Sequence, residues 1–185
     1  MENLSVPQGE FSLARFPLRK NETLRAWDAA DEYLLNRVAG TTGDDDEPIA
    51  LDGSVLIVND GCGAIATALA GAGVATLSDS YLAHLSTEEN LRRNGFEPDV
   101  VSCVGSLDEP DGPLDVVLIK VPKALALLED ELTRLRPHIT ADTVVLGAGM
   151  TKHIHNSTIE LFERIIGPLL DALRVLAARR HQQPL

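Results

Sequence analysis

The chain has 185 residues, 44% apolar and 24% charged, which suits one globular domain with a real core and excludes a disordered chain. A formal net charge of −12 excludes binding nucleic acid over the whole surface, although a local basic patch can act because charges beyond about 8–10 Å are screened. Only Cys62 and Cys103 are present, Met1-Glu2-Asn3 lacks a signal-peptide pattern, and no apolar run reaches bilayer length. A cytoplasmic protein without a disulfide framework, a four-cysteine metal site or a membrane partner is expected.

Phe11, Leu13, Phe16 and Leu18 alternate loosely with polar residues before and after Pro17, predicting an extended lead-in. Asn21 is a candidate N-cap for a helix from Glu22 to about Val38, with Leu24, Trp27, Leu34 and Val38 at helical spacing and Gly40 as its stop. The acidic, turn-rich stretch from Thr41 to Pro48 reads as a solvated linker. These features divide the chain into a lead-in and helix over 1–40, a linker over 41–53 and a core over 54–185.

Within the core, apolar runs and helical patterns alternate. Strands are predicted at Val55–Val58, Val74–Leu77, Val100–Val104, Asp115–Ile119 and Thr143–Leu146. Helices are predicted over Ala64–Ala70, to about Asn94-Gly95, over Lys123–Arg136, and from a Ser157 cap to Ile166. The tail beyond Pro168 suits either a helix or an edge strand. This alternation predicts an α/β, doubly wound, mostly parallel sheet with right-handed crossovers.

In such a sheet a nucleotide-like ligand sits beyond the carboxyl ends of the strands. Three places belong there. The turn Asn59-Asp60-Gly61-Cys62-Gly63 follows the first strand but matches neither a dinucleotide fingerprint nor a lysine-containing phosphate loop. It resembles a worn first motif of S-adenosylmethionine (SAM)-dependent methyltransferases, with Ile57 at the acidic position and Asn59 at the first glycine. The alternative is that Gly61 and Gly63 only turn strand into helix. Asp79 stands where that family carries a ribose-binding acid, and equally where an N-cap would stand.

The third place is Lys120-Val121-Pro122-Lys123, after the fourth strand. Base-modifying amino-methyltransferases resemble this segment in position but carry an Asn/Asp-Pro-Pro-aromatic tetrad there, which accepts hydrogen bonds from the target amine and stacks on the flipped base. A lysine ammonium only donates, so these residues do not form a methyl-transfer site. Lys120 and Lys123 are either solvated, paired to Asp60 or Asp79 across the crevice, or in contact with RNA. The pair His153 and His155 lacks further metal ligands at suitable spacing, so no metal is expected. Cys62 reads as a small turn filler.

Together with Leu24 to Leu35, Val117 to Glu129 and Ile154 to Glu163, the lysine segment resembles the N-terminal domain of two-domain 23S-type ribosomal RNA guanine-N2 methyltransferases. The resemblance implies a degenerate, Rossmann-like class I SAM-dependent methyltransferase fold that precedes an active domain on the same chain. It implies that SAM belongs to the longer parent enzyme and that this fragment holds no cofactor and no catalytic residue. Asn59, Asp60, Gly61, Gly63 and Asp79 would then be vestigial cofactor positions. Arg15, Lys20, Arg25, Lys120, Lys123 and Lys152 are candidates for contact with ribosomal RNA. The partners implied are that RNA and the C-terminal catalytic domain. The rival expectation is a self-contained methyltransferase that tolerates its worn motif.

Overall fold

The computed structural model describes residues 3–43, 46–151, 154–167 and 173–178. The chain opens on an antiparallel hairpin, β1 (Asn3–Val6) and β2 (Gly9–Ser12), ahead of the extended lead-in. Six further strands follow: β3 (Val55–Val58), β4 (Ala75–Ser78), β5 (Ser102–Gly105), β6 (Leu114–Lys120), β7 (Ile139–Met150) and β8 (Leu173–Ala178). They form one sheet in the order β5-β4-β3-β6-β7-β8, and every pairing in it is parallel. Counted from β3, the order is the 3-2-1-4-5-6 of doubly wound nucleotide-binding sheets. The tail that suits either helix or strand is therefore an edge strand over Leu173–Ala178.

Side chains of successive strand residues point to opposite faces, and the two cores follow that period. Val55 and Ile57 of β3, with Val116 and Leu118 of β6, join the core formed with α1 (Ala29–Val38), α2 (Ala64–Ala68) and α3 (Tyr81–Arg93). Leu56 and Val58, with Val117 and Ile119, join the core formed with α4 (Leu125–Leu135) and α5 (Asn156–Ile165). Burial on both faces is why β3 and most of β6 read as unbroken apolar runs.

Three local expectations need correction. No helix starts at Glu22: α1 begins at Ala29, because Asp28 and Asp31 form a reciprocal capping box. The Asp28 carboxylate accepts from the Ala30 N–H at 2.9 Å, and Asp31 accepts from the Asp28 N–H at 2.8 Å. Leu24, 63% exposed, never joins the buried stripe that its helical spacing suggests. The second correction concerns α5, which is capped at His155 rather than Ser157; the Thr158 hydroxyl accepts from the His155 N–H at 3.3 Å. The third concerns α3, where Ser80 is the N-cap and accepts from the Ala83 N–H at 3.3 Å, which leaves Asp79 exposed and outside the cap.

Two asparagines of α3 and its C-terminal end hold the N-terminal segment. The Asn94 side chain accepts from the Ser12 N–H and donates to the Ser12 carbonyl, both at 2.9 Å. Asn90, fully buried, accepts from the Ala14 N–H at 2.8 Å and donates to the carbonyls of Ala14 and Cys62 at 2.9 and 2.8 Å. Asn90→Ala strands these backbone groups away from water and should lower unfolding free energy by about 2 kcal/mol. Urea denaturation with an unshifted midpoint would contradict this anchoring role.

The described part of the acidic segment after α1 is mostly exposed but tethered at several points. Arg37 reaches Asp46 at 3.6 Å and donates to the Glu47 carbonyl at 3.0 Å, while Ile49 and Leu51 pack on the first core.

Candidate functional site

The turn after β3 is satisfied from within. Asn59 adopts a left-handed conformation, φ +64°, which asparagine tolerates better than most residues. Its amide donates to the Lys120 carbonyl at 3.2 Å and to the Glu131 carboxyl at 3.0 Å, tying β3, β6 and α4 together. Asp60 is buried and accepts from the N–H groups of Ala64 and Ala66, both at 2.9 Å. It is the anion at the N-terminus of α2, the position that an external ligand's negative group would otherwise take.

The two glycines differ in role. Gly61 is exposed, with nothing within 4 Å of where a Cβ would stand. Gly63 has φ +73°, and its Cβ would lie 2.5 Å from the Thr87 Cα, so here the residue permits α2 to approach α3. Burial, and then the Asp60 charge, push the half-buried Cys62 thiol up, away from the reactive thiolate. Asp79 keeps an exposed carboxylate at the end of β4.

Lys120 ends β6 and turns toward α1. Its ammonium lies 2.8 Å from Asp31 and 3.4 Å from Asp28. The partners expected for it were Asp60 or Asp79, and the structure corrects this: the capping carboxylates of α1 take that place. Asp60 acts on the lysine through its charge only. Burial pulls the Lys120 pKa down, but Asp31, Asp28 and Asp60 outweigh it and hold the ammonium charged.

One half-buried cation thus faces an excess of acids. Burial, opposed by Lys120 and reinforced by Asp60 and Asp28, pushes the Asp31 carboxyl up to about 7. Burial likewise raises Asp60, against the N–H groups of α2 and the Lys120 charge. Glu131, 5% exposed, is pushed up to about 7 by burial, against its hydrogen bond from Asn59. Sequence reasoning misses both Asp31 and Glu131. The Asp28-x-x-Asp31 spacing ahead of an apolar run is the available signal for the first. Nothing local marks the second.

Beyond the carboxyl ends of β3, β6 and β7 lies a groove of about 970 Å³, walled on its other side by the lead-in and the start of α1. It brings together four of the candidate RNA contacts: Arg15, Arg25, Lys120 and Lys123. Lys20 lines an adjoining cavity of about 610 Å³ that shares Arg15 and Arg25. Lys152 and His153 lie outside the described residues. Arg15 pairs with Glu22 at 3.9 Å, and the Arg25 guanidinium lies over the Trp27 ring, 5.7 Å from its centroid. Lys123 is exposed. No cluster of three or more His, Cys, Asp or Glu suited to a metal occurs among the described residues, and none of their helices is long and apolar enough to cross a membrane.

Comparison with solved structures identifies the fold. A ribosomal protein L11 methylase from Lactobacillus delbrueckii subsp. bulgaricus superposes with a TM-score of 0.53 at 17% identity, over 74% of this chain and 66% of that one. A SAM-dependent methyltransferase-type structure from Streptococcus mutans gives 0.58 at 8% identity, over 81% of this chain and 43% of that one. Sequence relatives are closer. Proteins named ribosomal RNA large subunit methyltransferase G are 49% identical in Streptomyces griseus subsp. griseus and 44% identical in Pseudomonas fluorescens, each over 97% of this chain and 46% of the relative. The chain thus spans about half the length of these curated relatives. The family model described as the RLMG N-terminal domain matches residues 1–181. A sheet that is Rossmann-like in order, a worn glycine turn and a lysine in the tetrad position are therefore features of a chain that belongs to the RLMG N-terminal domain family.

Proposed function

We propose that this domain is a non-catalytic part of a 23S ribosomal RNA guanine-N2 methyltransferase, positioning RNA and supporting a catalytic domain of the same enzyme. The observation that carries the reading is the engagement of Lys120. At the place where an amino-methyltransferase needs hydrogen-bond acceptors for the target amine, a charged donor is locked to Asp31 and Asp28. The turn that would cradle SAM does not fit it either. Both carboxylate oxygens of Asp60 are used on α2, and the Asn59 amide is used on Lys120 and Glu131. Asp79 alone retains an exposed acid suited to a ribose. The relatives' name supports the class of RNA, and the groove of cations supports contact with it.

Calorimetric titration of the chain with SAM should show no micromolar binding. A micromolar dissociation constant would instead support the self-contained methyltransferase. In a longer protein carrying the second half that the relatives possess, Arg15→Glu with Lys123→Glu should weaken RNA binding and flatten its salt dependence by about two units on the log–log slope. SAM affinity should be unaltered. Equal RNA binding by both proteins would leave the domain a structural support only.

A further inference from the structure

The cations of this acidic chain are not evenly spread. Arg15, Arg19, Lys20 and Arg25 fall within eleven positions that contain a single acid, Glu22. All four line the 610 Å³ cavity, and Arg15 and Arg25 continue into the 970 Å³ groove, where Lys123 stands at the opposite wall. The lining between them is mixed: Val121, Pro122 and Met150 give it apolar surface, and Asn59, Asp28 and Glu32 give it polar surface. A concave trough with cations on both walls and apolar side chains within its lining suits an unpaired strand, whose bases are free to turn inward; a duplex presents a convex phosphate surface.

Among the described residues the trough offers no exposed aromatic face for a base. Trp27 is only 8% exposed, and its indole N–H donates to Glu32 at 3.0 Å. What lies over the ring is the guanidinium of Arg25. A guanidinium is planar, weakly hydrated and itself a stacking surface for nucleobases, and an aromatic ring behind it restricts its motion. We propose that the groove holds an unpaired RNA nucleobase stacked on Arg25, which Trp27 backs from beneath, with the flanking phosphates on Arg15 and Lys123. This deepens the RNA-positioning reading and rests on it: Arg25 is a stacking group here, and Arg15 and Lys123 are point charges.

Trp27 is the chain's single tryptophan, so its emission reports on this place alone. The 185-residue chain is titrated at low salt with a single-stranded RNA hexamer and with a blunt duplex of the same composition. A saturable change is expected with the hexamer and little with the duplex. Arg25→Lys keeps the charge and removes the plane; it should bind the hexamer about fivefold to tenfold more weakly with the same salt slope and melting temperature. Arg15→Glu with Lys123→Glu should abolish the response. If Arg25→Lys matches the wild type while the charge reversal still weakens binding, the stacking proposal is overturned and the RNA reading survives. Equal binding of duplex and hexamer also overturns the stacking. No binding of either RNA by any variant, even at millimolar concentration, overturns both; a Trp27 response only to the separately added second half of a relative would reassign the groove to domain docking.

Discussion

Lys120→Met is expected to lower the unfolding free energy of the domain by about 3–5 kcal/mol at pH 8, the usual cost of leaving a buried charge without its partner. The methionine fills much the same volume, so the loss is electrostatic rather than a cavity. Asp31, 1% exposed, loses the ammonium 2.8 Å away, and Asp60 and Asp28 lose the cation that acts on all three. The effect should extend to the helix, since Asp31 also accepts from the Asp28 N–H at the start of α1. At pH 5.5, where Asp31 takes up a proton, the gap between variant and wild type should narrow. Urea denaturation at both pH values checks this. A midpoint equal to wild type at pH 8 would mean that the pair contributes nothing to stability.

The wild-type chain should itself be more stable at pH 5.5 than at pH 8, by about 2–4 kcal/mol. The sign follows from the acids. Asp31 rises from 3.8 and Glu131 from 4.5, both to about 7, and Asp60 moves the same way. A carboxyl that binds its proton more tightly when folded contributes stability in full below its unfolded value. That contribution disappears as pH rises through the folded value near 7. Lys120 titrates far above this window and does not alter the slope. Relief of repulsion in a chain of net charge −12 acts in the same direction. A stability maximum at or above pH 7.5 would refute the assignment of raised values to these buried acids.

How much of the structure is legible in the sequence depends on how local each determinant is. The runs Val55–Val58 and Asp115–Ile119 announce strands because both faces of the sheet are covered, and a continuous apolar run of that length suits little else. Gly95, at φ +81°, closes α3 as its Asn-Gly ending implies. The start of α1 is hidden because Leu24 and Trp27 fall at helical spacing by coincidence; the hydrogen-bonding chemistry of Asp28 and Asp31 decides the boundary. The hairpin buries only Leu4 and Phe11, too short an alternation to stand out. At the site, the position of Lys120 is readable from the motif, but its partner Asp31 is 89 residues away. No spacing rule reaches across that separation, and only the folded sheet shows which end of which helix lies over β6. The joining of Arg15, Arg25 and Lys123 in one groove has the same origin.

The clamp between α3 and the N-terminal segment has a consequence for biogenesis. Ser12 and Ala14 are bound by Asn94 and Asn90, separated from them by 82 and 76 residues. A ribosome delivers the hairpin well before its anchor. At about 5–20 residues per second the hairpin waits roughly 4–16 s for α3 to be made. A two-stranded ribbon is marginal alone in water, so it spends that interval without fixed structure and with Leu4 and Phe11 uncovered. The hairpin thus settles only after α3 has been made, and for that interval it is open to chaperones and proteases.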